Sequence, residues 1–470
     1  MKRLRLIIAM VVTVAIGAGV AIFFAVGGSQ LSADKPNVIM IVVDTLRADH
    51  LSQYGFHLET SPGLDEFASH STRFENCHTP APWTRPAVTT IFTGMHPLHH
   101  SVTRKTSLKD RADTLAERLQ LAGLETVGIS LNPNVSLDFG LGQGFEIFVE
   151  EFGDRATAYT DISQMHRLAQ MWFWAKGERR DPFFLFMLPM NVHGPYKVPK
   201  GKKRKALLGR APVKGFKYYS KLMKDIMKRG KAAERRPEVT PVMLQSLREK
   251  YATAVRYSTD NIAEFFEFLK KQGQYDNSLI ILTADHGEEL YDHEGFSHGY
   301  TVYDEVLHVP LFIKEPHQHK ARVVEEHVEI TDIYPTILEL LDEEVPAQLD
   351  GRSLVPLIEG EKRDESVADK IFVVAWEKRC VAQGILRWPW KLIRIQQNYE
   401  GLTDAEKLFN LQDDPGEFDD MASRRPELID KLTGGMRKVV SGLEGGEHYA
   451  ETRDLDPEME ERLKALGYLQ

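Results

Sequence analysis

Cysteine is nearly absent from this chain. Cys77 and Cys380 are the two in 470 residues, too few and too far apart for a zinc-finger motif or a disulfide framework. A surplus of positive charge is missing as well. The formal net charge of -9 argues against a general nucleic-acid binder, whose electrostatic footprint is basic. There is no internal repeat and no low-complexity segment, and 42% hydrophobic content is enough to bury a large core, so disorder is not expected. Long uncharged apolar runs are scarce too. Only one stands out, from Leu6 to about Val26.

That run follows Lys2, Arg3 and Arg5 and has the roughly 20 residues a membrane-spanning helix needs. A cleavable signal peptide has a shorter apolar core, of about 7 to 15 residues, although Ser32 and Ala33 leave cleavage open. The sequence therefore predicts an uncleaved anchor over residues 1–35. The basic flank places the N-terminus in the cytoplasm and the rest of the chain on the extracytoplasmic side of the membrane.

Beyond Pro36 the chain acquires a repeating grammar. Asn37 to Val43 is a β-branched run of the kind that forms a strand buried on both faces, and Asp44 follows it directly. Thr126 to Ser130 precedes Asn132, Phe183 to Met187 precedes Asn191 and His193, and Leu279 to Thr283 precedes Asp285 and His286. Helical patterns lie between them, over Thr114 to Leu119 ending at Gly123 and over Tyr251 to Lys271 ending at Gly273. Alternating strands and helices predict an α/β domain over 36–360, with a mostly parallel sheet covered on both faces and ligands beyond the carboxyl ends of the strands. A basic insertion interrupts it. Residues 197–236 hold sixteen Lys and Arg against Asp225 and Glu234, which reads either as a solvated block or as a surface for anionic lipid, glycan or substrate. From 361 to 470 the pattern changes. Ile371 to Val374, Trp390 to Ile393 and Glu406 to Leu411 predict a small antiparallel sheet, followed by a helical tail from Pro457.

Asp44, Asp285 and His286 are candidate metal ligands, because two carboxylates and an imidazole at strand ends can converge on one divalent cation. Taken singly, an Asp in such a place is equally an N-cap, and Asp285-His286-Gly287 an ordinary turn. Thr84 precedes Pro86 and the apolar stretch Ala87 to Phe92, which puts it at a helix N-terminus. Capping alone would explain it. The same position would also favour an alkoxide and an arriving anion, given an adjacent metal.

Several motifs now fall in order. Asn37 to Asp49, Ala81-Pro82-x-Thr84-x-Pro86 leading to Thr93-Gly94, Asp285-His286-Gly287-Glu288-Glu289 and Asp332-x-x-Pro335-Thr336 together resemble the sulfatase-like branch of the alkaline phosphatase superfamily. Asp350-Gly351-Arg352-Ser353-Leu354 and Leu411 to Glu417 are similar to the family's closing segments. The resemblance implies an α/β/α sandwich and a metal-activated nucleophile that attacks sulfur or phosphorus of an anionic ester. It implies metal ligation by Asp44, Asp285, His286 and Thr84, with Thr84 also the nucleophile. It further implies that His193 contacts the substrate anion or leaving group, and that His298, where a Lys is frequent, is a general acid or a ligand of a second metal.

Departures from the sulfatase pattern narrow the chemistry. The family's Cys/Ser-x-Pro-x-Arg motif, whose first residue becomes formylglycine, reads Thr84-Arg85-Pro86-Ala87-Val88 here. Oxidising the secondary alcohol of Thr gives a ketone, not that aldehyde. Ser130-Leu131-Asn132-Pro133-Asn134 replaces a Lys-x-His pair, Thr45 replaces an Asp, and His286 replaces an Asn. An imidazole in place of an oxygen ligand shifts preference from calcium toward zinc or manganese. The expectation is a hydrolase of phosphate mono- or diesters. The alternatives are a sulfuric ester hydrolase, a phosphoryl-group transferase on envelope lipid or glycan, and a binding protein with a degenerate site.

Overall fold

The computed structural model describes residues 35–103, 106–153, 160–177, 181–196, 198, 239–362, 371–377, 380–396, 405–444, 449–452 and 455–465. The expected anchor except Lys35, and all of the basic insertion except residue 198, lie outside them. No helix among the described residues is long and apolar enough to cross a membrane.

Four strands form the middle of the molecule, three of them mainly apolar. They are β1 (Asn37–Val43), β4 (Glu125–Ser130), β6 (Phe183–Leu188) and β7 (Ser278–Ala284), and every residue in them is buried. Such strands need cover on both faces. Together with β2 (Thr72–His78), β5 (Ile147–Glu150), β10 (His308–Lys314) and β11 (Arg322–Glu329) they build an eight-stranded sheet in the order β11-β2-β10-β7-β1-β6-β4-β5. Only β10 runs antiparallel to the rest.

Two groups of helices supply the cover. Thr84–Thr93 packs on both Leu115–Leu121 and Ile333–Leu340, while Ile162–Lys176 packs on Pro241–Lys271. Leu115–Leu121 and Ile162–Lys176 both touch β4, and because the fully buried central strands need cover on both faces, these groups form the two outer layers of the expected α/β/α sandwich. The Leu115–Leu121 helix begins with a capping box between Thr114 and Glu117. The long helix starts at Pro241, ten residues before the predicted Tyr251. Thr240 caps it by accepting from Met243 N–H, and Pro at the first helical position suits a start there.

The C-terminal sheet is antiparallel, as expected, and has four strands: β12 (Ile371–Glu377), β13 (Cys380–Arg387), β14 (Trp390–Gln396) and β15 (Ala405–Asn410). β13, broken by Gln383 and Gly384, carried no sequence signal of its own. Ala382, Leu386, Ile393 and Phe409 bury against Val302, Tyr303, Val306 and Leu307, which joins this sheet to the main one. A buried triad reinforces the joint: Lys391 Nζ lies 2.6 Å from Asp304 Oδ1 and 2.8 Å from Glu417 Oε1. The Pro426–Glu444 helix covers the other face through Leu432 and Met436. Two short ribbons complete the fold, β3 (Thr106–Leu108) with β16 (Ala450–Thr452) and β8 (Glu289–Leu290) with β9 (Phe296–Ser297). The tail helix spans Pro457–Ala465. Cys77 is buried and free.

Candidate active site

Register brings the first two acidic groups together. β1 and β7 are parallel neighbours with Val43 opposite Ala284, so the next residue of each, Asp44 and Asp285, emerges side by side at the carboxyl edge. His286 follows. The ligand atoms of Asp44, Asp285 and His286 all lie within 4.8 Å of one another, and all three residues are buried.

Orientation is set by hydrogen bonds around them. His286 Nδ1–H donates to the Gly287 carbonyl at 2.8 Å, which turns Nε2 to 3.4 Å from Asp285 Oδ2 and 3.8 Å from Asp44 Oδ1. Such a fixed tautomer is typical of a metal-binding imidazole. Asp285 Oδ1 accepts from the amides of Thr45 at 3.1 Å and His286 at 2.8 Å. Asn132 Nδ2 donates to Asp44 Oδ2 at 2.6 Å. One oxygen of each carboxylate is thereby used. The others, Asp44 Oδ1 and Asp285 Oδ2, are buried without a hydrogen-bond partner.

Burial, reinforced by the Asp285 charge, pushes the Asp44 carboxyl well above its usual range, and burial also raises Asp285. Two dehydrated carboxylates beside an imidazole lone pair are unfavourable unless a cation neutralises them. The donor set, oxygen with one nitrogen, fits a divalent ion.

Thr84 joins this group. Its Oγ1 is 3.3 Å from His286 Nε2 and 3.5 Å from Asn132 Nδ2. It is not a cap. The N-cap is Trp83, no side chain caps this end, and Thr84 is the first helical residue, fully buried. Its hydroxyl is thus turned to the acidic cluster rather than to the helix amides. Arg85, next in sequence, points elsewhere: it donates to Asn134 Oδ1 at 3.0 Å and lies over the Phe139 ring. Val88, one turn on, is part of the apolar core.

The two remaining candidates form a second layer. The His298 ring centroid is 4.4 Å from that of His286 and 5.0 Å from that of His193. His298 Nδ1 pairs with Glu288 Oε1 at 3.0 Å. His193 Nδ1–H donates to the Gly194 carbonyl at 2.7 Å. Burial and the neighbouring His298 lower the His193 pKa to about 3, so its ring is neutral near pH 7. The structure thus brings every expected site residue into one place.

Three contributors were missed. Asn132 ties Asp44 to Thr84, and its position two residues beyond β4 was the available signal. Glu288 holds His298, and nothing in Gly287-Glu288-Glu289 distinguished it. Thr45 adopts φ 60°, unusual for a β-branched residue, and this aims its amide at Asp285. Gly287 is required by space, since a Cβ there would meet the Glu305 carbonyl oxygen at 2.0 Å. Beside the site, a cavity of about 470 Å³ is lined by Arg47, His78, Asp292, Asp304, His327 and Trp388. Arg47 links the two, donating to the Glu288 carbonyl at 3.2 Å.

The fold and this site define an alkaline-phosphatase-like hydrolase. Comparison with known proteins is more specific: residues 36–343 match the sulfatase family model, and residues 292–441 match the C-terminal model of N-sulphoglucosamine sulphohydrolase. The chain belongs to the sulfatase family, a metal-dependent family of ester hydrolases. It is 24% identical to an arylsulfatase of Clostridium perfringens, over 88% of this chain and 96% of that protein. It is 27% identical to the multifunctional alkaline phosphatase superfamily protein PehA of Trinickia caryophylli, over 70% of this chain and 78% of the relative. Among solved structures, the phosphonate monoester hydrolase of Silicibacter pomeroyi superposes with a TM-score of 0.66 at 22% identity, covering 89% of this chain and 99% of that one.

Proposed function

We propose that this chain is a membrane-anchored hydrolase of phosphate mono- or diesters that uses Thr84 directly as its nucleophile, with Asp44, Asp285, His286 and Thr84 holding zinc or manganese. One observation carries the reading: the Thr84 hydroxyl serves no cap and lies 3.3 Å from His286 Nε2, beside two carboxylate oxygens that have no other partner. Calcium suits the set less well, because one donor is an imidazole. Val88 in the apolar core supports direct attack, since no basic side chain stands there to fix a modified aldehyde.

A divalent ion at this place supplies Lewis-acid stabilisation of the alkoxide and of the ester's charge. The chain does the rest. Ionised Thr84 Oγ1 bonds to phosphorus while the ester's leaving oxygen departs with a proton from His298. Water then attacks the same phosphorus, returns a proton to His298 and releases Thr84. Glu288 Oε1, 3.0 Å from His298 Nδ1, orients the ring for the first step. Neutral His193, whose Nδ1–H is engaged by Gly194, suits the hydrogen of water or alcohol better than an anionic oxygen. The cavity beside Arg47 is the space for the rest of the ester.

The same membrane reading places the catalytic domain on the extracytoplasmic side, held by Leu6 to Val26. Residues 197–236, entered just after the His193 turn, would raise the local concentration of anionic substrate, including anionic glycans. Sulfate ester hydrolysis is the second reading, favoured by the arylsulfatase relative. Zinc- and manganese-loaded protein assayed on aryl phosphate, phosphodiester and aryl sulfate separates the two. Phosphate turnover is expected to be fastest; sulfate as the best substrate overturns the proposal.

A further inference from the structure

The strands give the molecule two ends. Asp44, Asp285 and Asn132 leave the carboxyl edge of the sheet; the chain enters the domain at the opposite, amino edge, beside Asn37, whose N–H donates to Asn277 O at 3.2 Å. Lys35, the first described residue, is tied down there. Its ammonium donates to the Ala122 carbonyl at 3.1 Å and pairs with Glu343. Next to Ala122, Leu121 is 82% exposed at the end of its helix.

The Ile162–Lys176 helix ends at the same edge. Trp172 Nε1 and Lys176 Nζ reach the carboxylate of Glu125, the first residue of β4, at 3.2 and 2.8 Å. Between them Trp174 is 84% exposed, and one turn earlier Met171 is 58% exposed. Two large apolar side chains more than four-fifths bare, near the point where the N-terminal segment joins, have no explanation in the core.

The sequence indicates what covers them. Eight residues, Gly27 to Asp34, separate the apolar run from Lys35, and covalent geometry limits their reach to about 29 Å. The amino edge is therefore never far from the bilayer surface if Leu6 to Val26 spans it. Indole and aliphatic groups are the composition that settles at the membrane interface.

From this geometry we propose that the amino edge of the sheet is a membrane-apposed face, with Leu121, Met171 and Trp174 seated in the lipid headgroup region and the active site directed away from the bilayer. β1, of 7 residues, sets the two edges about 23 Å apart. The inference rests on the anchor reading of the N-terminal run. It also favours substrate over lipid as the partner of residues 197–236, because the chain leaves for that stretch at Tyr196, after β6, and returns in a helix whose Tyr251 hydroxyl donates to the Thr45 carbonyl at the catalytic edge. That basic stretch is left to substrate.

The test uses the full chain in phosphatidylcholine liposomes, with an environment-sensitive fluorophore on Trp174→Cys or, as the distant control, on Phe418→Cys, which is 71% exposed. Native chain taken through the same labelling sets the background from Cys77 and Cys380. A nitroxide on the lipid chain near the headgroup is expected to quench the 174 probe at least about twofold more than the 418 probe. Chain that stays with the membrane in alkaline carbonate but shows equal quenching at both positions overturns the inference while the anchor stands. A 174 probe shielded from aqueous iodide yet untouched by the lipid nitroxide assigns the face to a second copy and overturns it too. Chain released by carbonate defeats the anchor reading and takes the inference with it. Trp174→Ser, remote from the site, is expected to leave turnover of a soluble ester unchanged.

Discussion

Replacing Thr84 by Val separates a nucleophile from a helix cap. The two side chains have nearly the same shape, so the substitution removes the hydroxyl and little else. For stability the loss is small. The contacts to His286 and Asn132, at 3.3 and 3.5 Å, sit at the long end of hydrogen bonding, and their net worth is about 1 kcal/mol. The penalty of about 0.5 to 2 kcal/mol for losing an N-cap does not apply, because Trp83 occupies that position. Thr and Val also have similar helix propensity. For catalysis the loss is large. Removing a nucleophile costs kcat about 10^4- to 10^6-fold, equivalent to about 5 to 8 kcal/mol of barrier. Asp44, Asp285 and His286 remain to hold the metal. The expected outcome is therefore a folded, metal-loaded, inactive protein, while Thr84→Ser keeps most of the turnover. Steady-state kinetics on aryl phosphate, metal content by mass spectrometry and denaturant unfolding measure the three quantities. Thr84→Val with more than about 1% of native turnover, after metal content has been matched, refutes direct attack and leaves a metal-held water as nucleophile.

Asn132→Ala removes the 2.6 Å bond to Asp44 Oδ2 from a fully buried place. A buried carboxylate oxygen left unpaired costs about 1 to 3 kcal/mol, and metal affinity is expected to fall about 10- to 100-fold; urea unfolding in chelator and zinc competition with a chromophoric chelator read these, and native values for both would refute the role. Lys391→Met breaks the triad with Asp304 and Glu417 and leaves a buried and a half-buried carboxylate without their cation. Destabilisation of about 3 to 5 kcal/mol is expected, visible as a lower denaturation midpoint; an unchanged midpoint would show that the triad contributes nothing at this joint. His99 bonds Asp350 at 3.0 Å, and that hydrogen bond raises its pKa above the ordinary 6.5. The folded state thus holds the proton more tightly than the unfolded one, so the stabilisation is complete below 6.5 and fades as pH rises through the folded value. His99→Gln should lower the melting temperature more at about pH 5 than at about pH 9; equal shifts at both would contradict the pairing.

Sequence alone determined the parts whose signal is local. Asn37 to Val43 and Leu279 to Thr283 announce buried strands through unbroken apolar runs, and the polar residues just after them announce a site, because a chain leaving a parallel sheet at its carboxyl edge meets ligand rather than core. The ordered motifs from Pro36 to Met421 carried the family. Tertiary structure decided what depends on pairing. Asp44 and Asp285, 241 positions apart, meet because Val43 lies opposite Ala284, and no local pattern encodes that register. The same holds for Asn132 beneath Asp44, for Glu288 on His298 and for Lys391 between two acids, each a polar residue whose partner comes from another element. The start of the long helix at Pro241 was hidden because Val242, Met243 and Leu244 break the apolar periodicity seen from Tyr251 onward. Thr84 shows the division most clearly: its sequence position fits a cap and a nucleophile equally, and only the extended backbone of Trp83, which takes the capping position, frees the hydroxyl to face His286.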